Sequence, residues 1–257
     1  MTNALRINSG CYLVWFRSDL QRAEAQAYWR GEHGQIANQN PAIYEYLQHH
    51  FSLNDHGFWP AQHGVAVTIP TDWCMDGLTE VRISSLFLAI KARLWLMKKN
   101  LLDEQNLFDR VLAKISTFKG GIWWTGAYQP TIGFRAVVFI RARHQYKGKP
   151  FQHFIEETLA PALLSAGVHE LRSHIFQKGS RFTHWTPNVS HDEPAHRYYD
   201  GALVIGVKNR EDFNQIFETE HMKSTLSAQQ QCCLAIHAYA VDQTYVLVSE
   251  CKRQEAL

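Results

Sequence analysis

Two Asp-Gly pairs constrain this chain more than any other feature, because each opens a strand-like run at the same place in a repeated order of elements. Asp76-Gly77 begins "DGLTEVRISS" and Asp200-Gly201 begins "DGALVIGVKN". Ahead of the first pair, "CYLVWFR" (11–17) is a continuous apolar run suited to a buried strand, and Ser18 or Asp19 can cap the helical segment after it. Ala25, Trp29, His33 and Ile36 then recur at helical spacing on one face until Pro41 stops the helix. "AIYEYLQHHFSL" alternates Ile43, Glu45, Leu47, His49 and Phe51 against Tyr44, Tyr46, Gln48, His50 and Ser52, a strand with two chemically different faces. Helical sequence over 85–116 and a strand in "GGIWWTGAYQP" come after the first Asp-Gly strand.

The same β-α-β-β-α-β order then returns. "FRAVVFIRA" and "VHELRSHIFQ" flank helical "KPFQHFIEETLAPALLSAG"; after a polar loop come "DGALVIGVKN", a helix from 210 to 231, and "AIHAYAVDQTYVLV". From His33 to Asp76 is 43 residues, and from Leu159, placed opposite His33, to Asp200 is 41. A repeat of this size seen twice is a duplicated domain, not a solenoid. The expected class is α+β: two ferredoxin-like βαββαβ repeats, 1–127 and 128–257, with the joint in 125–133. Helices on one face of each sheet leave the other face bare. The two sheets should therefore cover each other as an intramolecular pseudo-dimeric α+β barrel, with room for a small ligand between their non-helix faces.

Composition narrows the partners. A net charge of +2 with interspersed acids and bases gives no footprint for nucleic acid. Cys11, Cys74, Cys232, Cys233 and Cys251 form no CxxC pair, which points to reduced thiols and a cytoplasmic protein. The start lacks a basic segment followed by an apolar one, and the longest apolar candidate, "SSLFLAIKARLWLMKK", is broken by Lys91 and Arg93, so no membrane contact is expected. Remaining exposed surface leaves room for a homodimer of the tandem chain.

In the first half, Tyr28-Trp29-Arg30, His33, Pro41 eight residues on, Tyr46 thirteen on, Asp76-Gly77 with Glu80, and "LLDEQNLF" with Asp103, Glu104 and Phe108 stand in order. The chain in this respect resembles the EthD-like family of the dimeric α+β barrel superfamily. The second half matches through "LAPALLSAGVHELRSHIF", "YYDGALVIGV" and "FNQIF", with Leu159 in the place of the helix histidine and Arg172 in that of the tyrosine. The resemblance implies an asymmetric pseudo-dimer whose first half holds the fuller site. It also implies a choice among cofactor-free lyases, isomerases, dehydratases, cyclases and monooxygenases acting on small hydrophobic cyclic substrates, beside haem-containing branches.

His33 is the expected general acid/base, since a neutral imidazole beside Trp29 can take or give a proton; the competing reading is a core histidine bonded to a carbonyl. Tyr46 would donate to a substrate carbonyl or enolate oxygen, against a packing role. His50 shares the Tyr46 face and is chosen over His49 on that parity. Glu80 would orient a histidine or act as acid/base itself. Asp76 with Gly77 reads first as turn chemistry, in which glycine supplies a positive φ, and second as a substrate contact. Trp29 and one of Trp123 and Trp124, here Trp124, would wall the cavity.

Among 14 histidines no HExxH or Cys/His array appears, so no metal is expected, and His184, His191 and His196 with Asp192 and Glu193 read as solvated surface. A haem would need an axial ligand such as His33 or His169. No GxSxG or phosphate-loop motif is present, and Cys74 lies too near Asp76 for an activated thiol. The leading expectation is a cofactor-independent lyase, dehydratase or isomerase acting on a small hydrophobic carbonyl compound. The alternatives are a non-catalytic hydrophobic-ligand-binding or accessory protein and, third, a haem-binding barrel or cofactor-free monooxygenase.

Overall fold

The computed structural model describes residues 4–84, 102–126, 128–178 and 186–249. Eight strands, β1 (Leu5–Phe16), β2 (Ile43–His56), β3 (Gly77–Ile83), β4 (Phe108–Trp123), β5 (Phe134–Ala142), β6 (Glu170–Phe176), β7 (Gly201–Val207) and β8 (Cys233–Val248), close into one barrel in the order β1-β3-β2-β8-β5-β7-β6-β4. Every pairing is antiparallel. Opened at the β2–β8 and β4–β6 seams, the ring gives β4-β1-β3-β2 and β8-β5-β7-β6, the same relative order in each half of the chain.

Hydrogen bonds at the two Asp-Gly pairs match atom for atom. The Asp76 and Asp200 amides donate to Val14 O and Ile140 O, both at 2.9 Å. Their carboxylates accept from Phe16 N at 2.7 Å and Ala142 N at 2.8 Å. Gly77 and Gly201 are not among the positive-φ glycines; what each position excludes is a side chain. A Cβ on Gly77 would lie 2.6 Å from His49 O and from the Trp29 ring, and one on Gly201 would lie 2.7 Å from His174 O and 2.9 Å from the Phe151 ring. Close approach therefore replaces turn geometry as the reason for glycine. Gly77→Ala should destabilise the fold by about 1–3 kcal/mol in a urea titration, by overpacking against backbone that cannot move aside; an unchanged midpoint would refute the steric account.

Three apolar layers hold the barrel. Between the second sheet and its helices lie Val138, Ile140, Leu171, Ile175, Leu203 and Ile205 with Phe151, Phe154, Leu159 and Phe213. Outside the first sheet lie Val14, Phe16 and Val111 with Ala25 and Trp29. Inside the ring lie Cys11, Leu13, Phe51, Leu78, Leu112, Val137, Phe139 and Tyr239. Burying one such side chain contributes about 1.5–3 kcal/mol. Cys11, Leu13, Phe51, Leu78, Val137, Phe139 and Tyr239 each have 0% accessible surface, so none borders a water-sized void. At the level of these residues the space expected between the sheets is filled by side chains.

The helix expected over 85–116 also needs correction. Residues 85–101 lie outside the described part, and helix covers only 102–107 before β4 begins. Leu112 pairs with Leu13 and Lys114 with Cys11, so a stretch whose apolar spacing suits a helix is taken into the barrel by its pairing with β1. No helix among the described residues is long and apolar enough to cross a membrane.

Candidate functional site

The helical passage after β1 runs through an α-helix (Arg22–Tyr28), a π-turn (Trp29–His33) and a second α-helical turn (Gly34–Asn38). Such π-turns are concentrated at functional positions, because the extra residue re-aims the side chains beyond it. Here the turn ends on His33. Its Nδ1 bonds the Asp103 carboxylate, which also accepts from Tyr28 Oη at 2.9 Å, and its ring meets the Phe108 edge at 5.4 Å. The His33 side chain keeps 16% of its surface exposed, and among the described residues its Nε2 has no hydrogen-bond partner. With Nδ1–H donated to a carboxylate, the lone pair sits on Nε2, the arrangement of a positioned base. Asp103 stands out in the sequence only as part of the "LLDEQNLF" resemblance and not as a site residue, because nothing in the spacing ties it to a histidine 70 positions away.

Tyr46, Gln48 and His50 lie on the same outer face. Gln48 Nε2 donates to Trp29 O at 2.8 Å, and His50 stacks on the Trp29 ring at 4.4 Å. Burial first, then His49 and nearby arginines, push His50 down to about 3, so it is neutral at ordinary pH. Tyr46 is buried, its hydroxyl 3.5 Å from Thr79 Oγ1, and burial pushes its phenol up to about 12. Phe108, which touches His33, also lines an open cleft of about 510 Å³ with Arg17, Gln105, Asn106 and Asn188.

Parity with Tyr46 therefore selects the outer face, while His49 and Glu80 point into the barrel. There Glu80 collects a fully buried network. Arg172 Nε donates to its two oxygens at 2.9 and 3.0 Å, His174 Nε2 lies 2.8 Å from Oε1, and His49 Nε2 lies 3.2 Å from Oε2. Thr244 Oγ1 backs His49 and Ser9 Oγ backs His174, both at 2.9 Å. By register the two histidines are equivalent: His49 pairs with Leu78 next to Gly77, and His174 with Ala202 next to Gly201. Arg172 also reaches Glu170 at 2.8 Å, and Glu170 is held in turn by Arg135. Burial alone would raise the Glu80 carboxyl, but Arg172 and then the two histidines hold it well below the usual range. Glu170 is likewise lowered.

The same register corrects the alignment of the halves by one residue: Arg172 stands opposite Leu47, and Leu171 opposite Tyr46. Asp76 is committed to Phe16 N and an ion pair with Arg22, so its carboxylate serves the fold. Trp124 donates to Ser173 Oγ at 3.0 Å and packs with the helices of the second half, away from His33. The loop read as solvated surface is partly built in. His191 bridges Val111 O and Thr186 N, and Glu193 pairs with the buried Lys114. His184 lies outside the described residues, and His169 is exposed at the foot of β6. Among the described residues no group of three or more His, Cys, Asp or Glu could hold a metal ion.

No family model matches the chain, and no curated protein matches it in sequence. Solved structures do match its architecture. A candidate monooxygenase from Lactobacillus acidophilus aligns at 8% identity over 96% of this chain and 97% of that one, with a TM-score of 0.56. A second, from Fusobacterium nucleatum, aligns at 7% identity over 93% and 92%, at 0.54. An anthrone oxidase-like protein aligns at 8% identity over 96% and 95%, at 0.55. The chain shares the dimeric α+β barrel architecture with these proteins.

Proposed function

We propose that the chain is a cytoplasmic, tandem EthD-like protein of two ferredoxin-like repeats, 1–127 and 128–257, acting as a cofactor-independent lyase, dehydratase or isomerase. The repeated strand order and the matched Asp-Gly hydrogen bonds support the duplication. The observation that carries the chemistry is the His33–Asp103 pair, whose imidazole is partly exposed and whose Nε2 has no hydrogen-bond partner among the described residues. In this reading Nε2 takes a proton from the carbon next to a carbonyl of a small hydrophobic substrate, and the imidazolium is stabilised by Asp103. The electron pair left on carbon moves to the carbonyl oxygen, which Tyr46, a phenol that stays protonated, supports by hydrogen bonding. The proton then returns to another carbon or to a leaving group. Structural neighbours described as monooxygenases and as an anthrone oxidase-like protein suit a hydrophobic ring substrate.

His33→Ala should lower kcat by roughly 10²-fold or more with folding intact, and Asp103→Asn should lower it less while altering the pH profile. Full turnover in His33→Ala would end this assignment. A protein that binds a hydrophobic metabolite but turns nothing over would be the accessory protein instead. His33 Nε2 also suits a haem iron, because ligating histidines commonly rest their other nitrogen on a carboxylate; such a group would supply redox chemistry when bound. A Soret band from the purified protein would move the chain to that class.

A further inference from the structure

Eight buried side-chain nitrogen or oxygen atoms lack a hydrogen-bond partner among the described residues, and five of them belong to one end of the barrel: Trp15 Nε1, Trp73 Nε1, Arg110 Nε, Arg141 Nε and His237 Nε2. Trp15 and Arg141 stand near the ends of β1 and β5, and Arg110 and His237 near the starts of β4 and β8. Antiparallel pairing sets Arg110 beside Trp15 and His237 close to Arg141, and because β1 and β5 run in the same direction in the ring, both pairs lie at one end of the barrel. Trp73 joins them from the 3₁₀ turn Thr71–Trp73.

The contacts are close. The two indoles lie 5.2 Å apart, and the Arg110 guanidinium lies 5.4 Å from one ring and 4.8 Å from the other. Arg197 lies 4.9 Å from the Trp73 ring, and Arg141 5.6 Å from that of Tyr199. Tyr199 Oη is 2.6 Å from His237 Nδ1. Burial pushes His237 down to about 4 and raises the Tyr199 phenol, so both are neutral at ordinary pH. With Tyr199 donating to Nδ1, the His237 proton sits on Nε2, and all five orphaned atoms are then donors.

Charge agrees with the donor count. Asp72 pairs with Arg197, Glu193 with Lys114 and Asp200 with Lys147. Among the described residues no carboxylate forms an ion pair with Arg110 or Arg141; Asp72 acts on Arg110, and Asp200 and Glu193 on Arg141, only from farther off, and burial outweighs them and lowers the Arg141 guanidinium. Trp15, Trp73 and His237 are at least nine-tenths buried. Several such donors at one place share an explanation if a single group accepts from them.

We propose that this end of the barrel binds a small aromatic carboxylate, its two oxygens accepting from Arg110, Arg141 and the indole N–H groups while its ring packs against Trp15 and Trp73. A planar carboxylate has the lone pairs to satisfy several donors and the shape for guanidinium groups. The site is separate from the His33 face: Trp15 belongs to the interior cluster, and Phe16, the next residue, to the helix-side one.

Titration of tryptophan fluorescence in the full chain with benzoate, benzamide and inorganic phosphate tests this. Benzoate should bind saturably, and benzamide, its neutral analogue, about tenfold or more weakly. Arg141→Gln, checked for folding by circular dichroism, should weaken benzoate by a similar factor, while His33→Ala should leave it unchanged. Phosphate binding as tightly as benzoate would replace the proposal by a bare oxyanion site. Equal binding of benzoate and benzamide, no saturable benzoate signal, or loss of binding in His33→Ala would each overturn it, and the benzoate–benzamide comparison needs no variant.

Discussion

Stability should begin to fall once the pH drops below about 6.5, before most carboxylates titrate, because His50 and His237 are buried neutral. The sign is set by their displacement: each is lowered from 6.5, His50 to about 3 and His237 to about 4. Above 6.5 both folded and unfolded forms are neutral and contribute no slope. Below it the unfolded chain takes up protons that the folded one refuses, so each histidine removes about 1.4 kcal/mol per pH unit until its folded value is reached. His49 is lowered too and acts in the same direction. Glu45, Glu193 and Asp200, raised chiefly by burial, oppose the loss, since their folded forms take a proton first. Glu80 and Glu170, lowered by their arginines, add to the loss below about 4.5. Against a typical total of about 5–15 kcal/mol, cooperative unfolding is expected between about pH 4 and 5. Denaturant titrations at a series of pH values check this. His50→Phe, which retains a ring against Trp29, should flatten the slope between about pH 6.5 and 4.5; stability level from pH 7 to 5 would contradict the account.

The order of the strands was legible because strands and helices impose different periods, and the two Asp-Gly strands occupy equivalent places in the ring. Strand parity was legible as well: Tyr46 and His50 do share a face. What parity cannot say is which face turns toward the helices. Trp29 decides that by stacking on His50 and pressing on Gly77. The end of the helix before β4 was illegible because Val111, Leu112 and Ile115 fit either period, and only pairing with β1 selects the strand. The charged network was hidden for a different reason. Glu80 meets Arg172 and His174 across 92 and 94 residues of sequence. A clue was nevertheless present, in that Glu80, Arg135, Glu170 and Arg172 interrupt otherwise apolar strands at positions that face inward. Read that way, each would have demanded a buried partner.

Glu80→Ala is accordingly expected to be the most damaging single change in the interior. It removes the carboxylate shared by Arg172, His49 and His174, leaving Arg172 with Glu170 alone and both imidazole N–H groups without an acceptor. Breaking a buried pair from one side typically destabilises by about 3–5 kcal/mol, because the remaining charge stays desolvated. For a chain of this size that lowers Tm by roughly 10 °C or more. The opposite comparison separates attraction from desolvation. In Arg172→Met, Glu80 and Glu170 face each other without their shared cation, so this variant should also be strongly destabilised. Glu80→Leu combined with Arg172→Met should lose less than the two single losses together, by about 1–3 kcal/mol of coupling. Thermal and urea unfolding of the four proteins measure that cycle. If Glu80 acts in catalysis instead, Glu80→Ala will keep its Tm and lose turnover, whereas a structural Glu80 gives a protein that, wherever it remains folded, retains the kcat set by His33.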